Sequence, residues 1–99
     1  MAQHDAFKNS AGKGYLLDVQ SDLLSGLNSR MVVPLLPIDH APAPADRLNP
    51  LFTIKGQQFV MATQFMAAIP ARELGVPVDT LAEHRNEINN ALDMLLVGF

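Results

Sequence analysis

The sequence predicts a mainly β fold completed by a single C-terminal helix, and three observations carry that expectation. Up to Pro70, short apolar runs of strand length alternate with clusters of turn-forming residues. Lys55-Gly56 stands between two of these runs as a tight hairpin turn, because Gly56 supplies the positive φ such a turn requires. From Thr80 the spacing changes, and Leu81, Ile88, Ala91, Leu92 and Leu95 form one helical stripe, with Glu83, Asn86, Asn90 and Asp93 off it.

The elements can be taken in order. A weak alternating stretch from Gln3 to Lys8, the turn cluster Asn9 to Gly14, and the stronger run Tyr15 to Gln20 read as two antiparallel strands. After a polar break from Ser21 to Ser29, which holds Leu23, Leu24 and Leu27, the run Arg30 to Leu36 is a third strand. Pro34 cannot donate a ladder hydrogen bond, which places that strand at an edge or bulges it. Pro37 to Arg47, rich in Ala and Pro, is expected as a long surface loop. The hairpin Leu51–Ile54 and Gln57–Gln64 comes next, then a short strand over Met66–Pro70, where Pro70 excludes a continuing helix. The helix is expected from Thr80 to about Leu96, its start marked by a capping box of Thr80 with Glu83. No internal repeat is visible, and residues 1–99 are expected to form one domain.

Composition narrows the classes of function. Hydrophobic residues make up 48% of the chain and charged residues 17%, against a usual charged share of roughly 25%. That apolar surplus favours burial beyond a monomer's own core, so a homodimer is expected. The formal net charge of −3 argues against direct DNA or anionic-lipid binding, which need clustered cations. There is no cysteine, no signal-peptide layout and no apolar run of the roughly 20 residues that span a bilayer. The expected location is the cytoplasm, with no membrane partner.

No pattern of a catalytic or metal centre emerges. His4, His40 and His84 have no local ligand spacing and read as solvent-facing or hydrogen-bonded side chains, with no metal and no cofactor expected. No serine sits in a Gly-x-Ser-x-Gly turn. Asp18 and Asp22 have acid–base potential only if burial splits their pKa values, and they read more simply as solvated turn acids. Gly12-Lys13-Gly14 lacks phosphate-loop spacing and reads as a hairpin turn. The chain is therefore expected to act by binding and not as an enzyme.

The informative feature is the ending Met94-Leu95-Leu96-Val97-Gly98-Phe99. Four consecutive apolar residues cover every side of a helical turn, so one buried face cannot hold them all. Either Val97 and Phe99 fold back on the core with Gly98 as the reversal, or the end is an exposed apolar patch for a partner.

With those residues in view, the chain resembles the CcdB family, toxins of bacterial toxin–antitoxin pairs. The matching stretches are Asp18 to Leu24, Arg30 to Leu35, Met61-Ala62-Thr63 through Ile69-Pro70, and Arg85 to Leu92 continuing to Gly98-Phe99. The resemblance implies a homodimer whose subunit is an SH3-like barrel, an antiparallel sheet with a small side sheet and one C-terminal helix. It also implies a non-enzymatic poison that binds the DNA gyrase A subunit and traps gyrase on cleaved DNA. A CcdA-like antitoxin would neutralise it, and operator DNA would be bound only indirectly, through that antitoxin. Carried over by position, the gyrase-binding residues are Leu23, Asn90, Asp93, Leu96, Val97, Gly98 and Phe99. The plasmid-borne form ends Trp-Gly-Ile where this chain has Val97-Gly98-Phe99, which moves the aromatic ring to the last position. Two alternatives stand beside gyrase poisoning. One is a relative that binds antitoxin but no longer poisons gyrase, and the other a ribonuclease on a related fold.

Overall fold

In the computed structural model, which describes residues 2–98, the strand-length runs pair into one antiparallel sheet of seven strands. These are β1 (Asp5–Lys8), β2 (Tyr15–Asp18), β3 (Ser29–Pro37), β4 (Leu51–Ile54), β5 (Gln57–Met61), β6 (Ala67–Pro70) and β7 (Pro77–Thr80). The order across the sheet is β4-β5-β3-β2-β1-β7, with β6 as a side strand on β3. One helix, α1 (Arg85–Leu96), completes the chain. Mainly β with a C-terminal helix is thus the observed class.

The long strand β3 organises the sheet and is central, not at the edge that Pro34 suggests. One side pairs β2 over Val32–Leu35. The other side pairs β6 over Ser29–Val32 and then β5 over Leu35–Pro37. Pro34 falls between those two partners, where its carbonyl accepts from the Ala62 amide. A residue's N and O point to the same side of a strand, so the N–H that proline lacks would have faced this gap.

The sheet curls, and apolar side chains cover both of its faces. Leu17, Val33, Leu35, Phe59 and Met61 join Phe52 and Ile54 on the inside, closed off by Leu81, Ile88 and Ala91. Phe7, Val32 and Leu74, with Leu16 and Ile69, form a second cluster. Neighbours in a strand point to opposite faces, so Leu16-Leu17 and Val32-Val33 feed both clusters. Burial on two faces explains why these strands read as continuous apolar runs. The β4–β5 hairpin has Lys55 at φ 52° and Gly56 at φ 80°, the two positive values of a type I′ turn.

Two further expectations need correction. The segment before the helix is strand β7, paired with β1 through Asp5–Thr80 and Ala6–Asp79. Thr80 therefore caps no helix, although its Oγ1 accepts from the Ala82 amide at 3.3 Å, and α1 starts later, at Arg85. The Leu81 amide donates to the His4 carbonyl, so pairing with the N-terminal segment holds this stretch extended against its local capping signal. Secondly, Asp18 is a buried side chain and not a solvated turn acid. The surface loop expected over Pro37–Arg47 is present, exposed or half-buried over residues 38–47, and just beyond it buried Asn49 donates to the Met61 carbonyl at 2.9 Å and accepts from the Ala45 amide at 3.0 Å.

Candidate functional site

The last turn of α1 rises off the sheet. Ile88 and Ala91 are fully buried and Leu92 is partly so, which anchors the helix by one stripe. Beyond them exposure climbs, with Leu95 at 37%, Leu96 at 67% and Val97 at 61%. Leu95, expected on the buried stripe, is thus partly in solvent. The Asp93 carbonyl accepts from the amides of both Val97 (2.8 Å) and Gly98 (2.9 Å), and Gly98 lies at φ +94°. This left-handed cap satisfies the helix end with backbone alone and leaves the Leu96 and Val97 side chains outside. Val97 does not fold back on the core; Phe99 lies outside the described residues.

Asn90, Asp93 and Val97 share one exposed helix face at spacings of three, four and seven. Asn90 and Glu87 also line a groove of about 600 Å³ whose other wall is the loop from Pro44 to Leu51. Leu96 points to another side of the helix.

Leu23 stands on a different element, a one-turn 3-10 segment over Asp22–Leu24, and is 94% exposed. That turn is braced. The Ser21 hydroxyl accepts from the Leu23 amide at 3.2 Å, Asp22 Oδ1 from the Gln3 amide at 2.8 Å, and the Leu24 carbonyl from Gln20 Nε2 at 3.0 Å. Leu24 and Leu27 are half exposed beside it. The structure thus brings Asn90, Asp93, Leu96, Val97 and Gly98 together on one helix end, while Leu23 is tied to the N-terminal segment.

Behind the Leu23 turn lies a buried polar group that the residue pattern did not reveal. Arg30 and Asp18, 1% and 0% exposed, form an ion pair in which Arg30 Nε and Nη2 both donate to Asp18 Oδ2 at 2.9 and 2.5 Å. The other carboxylate oxygen accepts from the Gln20 amide, and the Gln20 side chain accepts from the Met31 amide. Arg30 spends Nε and Nη2 on Asp18 and is almost wholly out of solvent, so its guanidinium is not presented at the surface to a phosphate. The only sequence signal was spacing: Asp18 ends β2 opposite Val32, and Arg30, two residues before Val32 on β3, lies on the same face as a diagonal neighbour that the register alone reveals. His4 is also buried, contrary to expectation, at φ +75° with its Nε2 unpartnered. Burial, and then the nearby Arg85 charge, lowers its pKa from the ordinary histidine value.

His40 and His84 are the more exposed histidines. His40 pairs with Asp39, whose carboxyl is held below its usual pKa chiefly by that hydrogen bond. His84 packs on Phe52 and reaches Glu87 at 3.2 Å. Among the described residues, no group of three or more His, Cys, Asp or Glu is gathered to hold a metal ion. No helix among them is long and apolar enough to cross a membrane.

A family model described as CcdB protein matches residues 3–98. A solved structure described as an endoribonuclease in complex with its cognate antitoxin, from a mycobacterial species, superposes with a TM-score of 0.75. The match covers 97% of this chain and 94% of that one at 16% identity, a level that establishes the shared fold alone.

Proposed function

The chain belongs to the CcdB family, toxins of toxin–antitoxin systems, and we propose from this that it works by binding: a homodimer docks on the A subunit of DNA gyrase and traps the enzyme on cleaved DNA, until a CcdA-like antitoxin displaces it. The supporting observation is the apolar end of α1, where Leu96 and Val97 stand exposed beyond the last packed turn. Large apolar side chains left in water on a rigid element are what an interface anchor requires. Leu23 adds a second anchor on a hydrogen-bonded turn, while Asn90 and Asp93 supply the polar rim. Gly98 and Phe99 complete the contact set by position.

The cytoplasm is the compartment this activity requires. The likeness to an endoribonuclease complex makes RNA cleavage the competing activity. Against it, the Arg30 guanidinium of β3 is buried and paired with Asp18, out of reach of a phosphate.

The deciding experiment incubates the purified protein with gyrase, supercoiled DNA and ATP, and in parallel with RNA. Accumulation of linear, gyrase-linked DNA with intact RNA is the expected result. Cleaved RNA, lost on a single side-chain substitution, with no trapped DNA would replace the proposal.

A further inference from the structure

The backbone pairing of β2 with β3 fails one residue beyond Asp18. The Val19 amide donates to the Met31 carbonyl at 3.0 Å, but among the described residues the return bond from the Met31 amide to the Val19 carbonyl is not made. Two glutamine side chains stand in for it. Gln20 Oε1 accepts from the Met31 amide at 3.0 Å, and Gln3 Nε2 donates to the Val19 carbonyl at 3.2 Å. Side chains thus carry the ladder past the point where the main chain leaves the sheet, and both backbone groups keep a partner. Gln20 does more than accept. Its Nε2 donates to the Leu24 carbonyl at 3.0 Å, and its backbone amide is held by Asp18 Oδ1 at 3.0 Å. One planar amide, rooted beside the buried Asp18–Arg30 pair, therefore ties β3 to the turn over Asp22–Leu24.

That turn has little else to hold it. None of its three residues is buried, and Leu23 is 94% exposed, so no core packing sets the direction of the Leu23 side chain. Its own bonds, Leu24 amide to Ser21 carbonyl at 2.9 Å and Ser25 amide to Asp22 carbonyl at 3.2 Å, are the short-range kind that leave a 3-10 turn weak by itself. Long-range restraint comes from Asp22, which accepts from the Gln3 amide at the start of the turn, and from Gln20 at its end. The carbonyl of half-exposed Leu24 already accepts from the Leu27 amide at 3.1 Å, so the Gln20 bond is not required to satisfy it. Its consequence is placement. An exposed side chain on a loose loop must be ordered when it binds, and that loss of freedom is avoided where the loop is fixed beforehand.

We propose that Gln20 is a positioning residue for gyrase binding: by joining the Met31 amide to the Leu24 carbonyl, it holds Leu23 in place for the partner. This rests on the reading of Leu23 as a gyrase contact. At 9% exposed, Gln20 offers a partner almost no surface of its own and acts through the turn. Glutamine suits the place because one side chain supplies an acceptor and a donor at the same reach. Glutamate keeps the acceptor and loses the donor, and methionine, of similar length, loses both.

The test measures affinity for the purified gyrase A subunit at a temperature well below the melting of every variant. Gln20→Met is expected to weaken binding about tenfold, and Gln20→Glu to weaken it while the bond to Met31 is retained. The loss should disappear when Leu23→Ala is already present, since Gln20 then has no contact to position. It should add in full to the loss from Val97→Ser, which lies on a different element. Amide order parameters give a reading free of gyrase. Those of Leu23, Leu24 and Ser25 should fall from the rigid range of about 0.85 towards about 0.6 in Gln20→Met, while Ala6 and Leu17 in the β1–β2 pair keep wild-type values. A residue that only stabilises the fold would leave this fast motion unchanged and weaken binding equally in every background. Wild-type affinity in a folded Gln20→Met protein would overturn the proposal, as would an equal loss in the Leu23→Ala background or unchanged order in the turn. If the wild-type chain does not bind gyrase, the functional reading falls and this proposal with it. Binding by the wild type together with any of the other three results removes this proposal alone.

Discussion

At the scale of single residues, the groups that most constrain this molecule are polar and buried. Asp18 and Arg30 neutralise each other out of water, and the loss of either partner matters more to stability than their net attraction does. Asp18→Asn keeps the shape but strands a guanidinium charge in the interior, at a cost of about 3–5 kcal/mol, to be read as a drop in urea midpoint. Arg30→Met on top of it should recover part of that loss. His4 adds a pH dependence whose sign is set by its environment. Its folded pKa lies below the unfolded value of 6.5, with Asp5, Asp18 and Asp22 only partly opposing burial and Arg85. Protonation therefore favours the unfolded chain. The His4 contribution is complete above 6.5 and is lost as pH falls from there through the lower folded value. His4→Asn, which tolerates the positive φ, should flatten the decline in melting temperature between about pH 7 and 5. A parallel decline in both proteins would remove His4 as its source.

At the scale of elements, legibility tracked how local the determining forces are. The hairpin at Lys55-Gly56 and the apolar stripe through Ile88 and Ala91 were readable because turn chemistry and periodicity act within a few residues. β7 was not, because Pro77 to Thr80 becomes a strand only by pairing with β1, far away in sequence. The central position of β3 was hidden likewise, since Pro34 is tolerated only where β6 gives way to β5. Of the candidate site, the exposed helix end was legible from an apolar run too wide for one face, whereas the bracing of Leu23 by Gln3, Ser21 and Gln20 depends on long-range contacts. The same locality predicts how the helix end responds to change. Ile88 and Ala91 hold α1 to the sheet, so Ile88→Ala should cost about 2–5 kcal/mol in stability. Val97→Ser or deletion of Gly98-Phe99 should instead leave melting nearly unchanged and weaken gyrase binding about tenfold or more. Gly98→Glu should behave as the deletion does, placing a charge at the contact and a side chain at a φ that disfavours it. A large fall in melting temperature after the deletion would mean that the end is structural.

At the scale of the whole molecule, exposed apolar surface argues that one copy is not the working unit. Met94 and Leu95 are more than a third exposed on α1, and Phe65, on the turn that α1 packs against, is half exposed. A stable interface covers about 800 Å² per partner, roughly a seventh of the 5791 Å² accessible here, which a patch of this kind joined by its polar surroundings can supply. Self-association through such a patch would be isologous, each helix end meeting its counterpart, and would bring the two ends proposed to meet gyrase close to one axis. A dimeric partner with its own two-fold axis is then engaged by both ends together, and each end raises the effective concentration of the other. Sedimentation at micromolar concentration should show a species of twice 10.8 kDa, and Leu95→Glu should return the 10.8 kDa species with its melting transition still cooperative. If paired ends matter, that monomer should also trap cleaved DNA far less well than the wild type although Leu96, Val97 and Gly98 are intact. A monomer that traps DNA as well as the dimer would show that one helix end suffices, and a wild-type protein found only at 10.8 kDa would remove the dimer altogether.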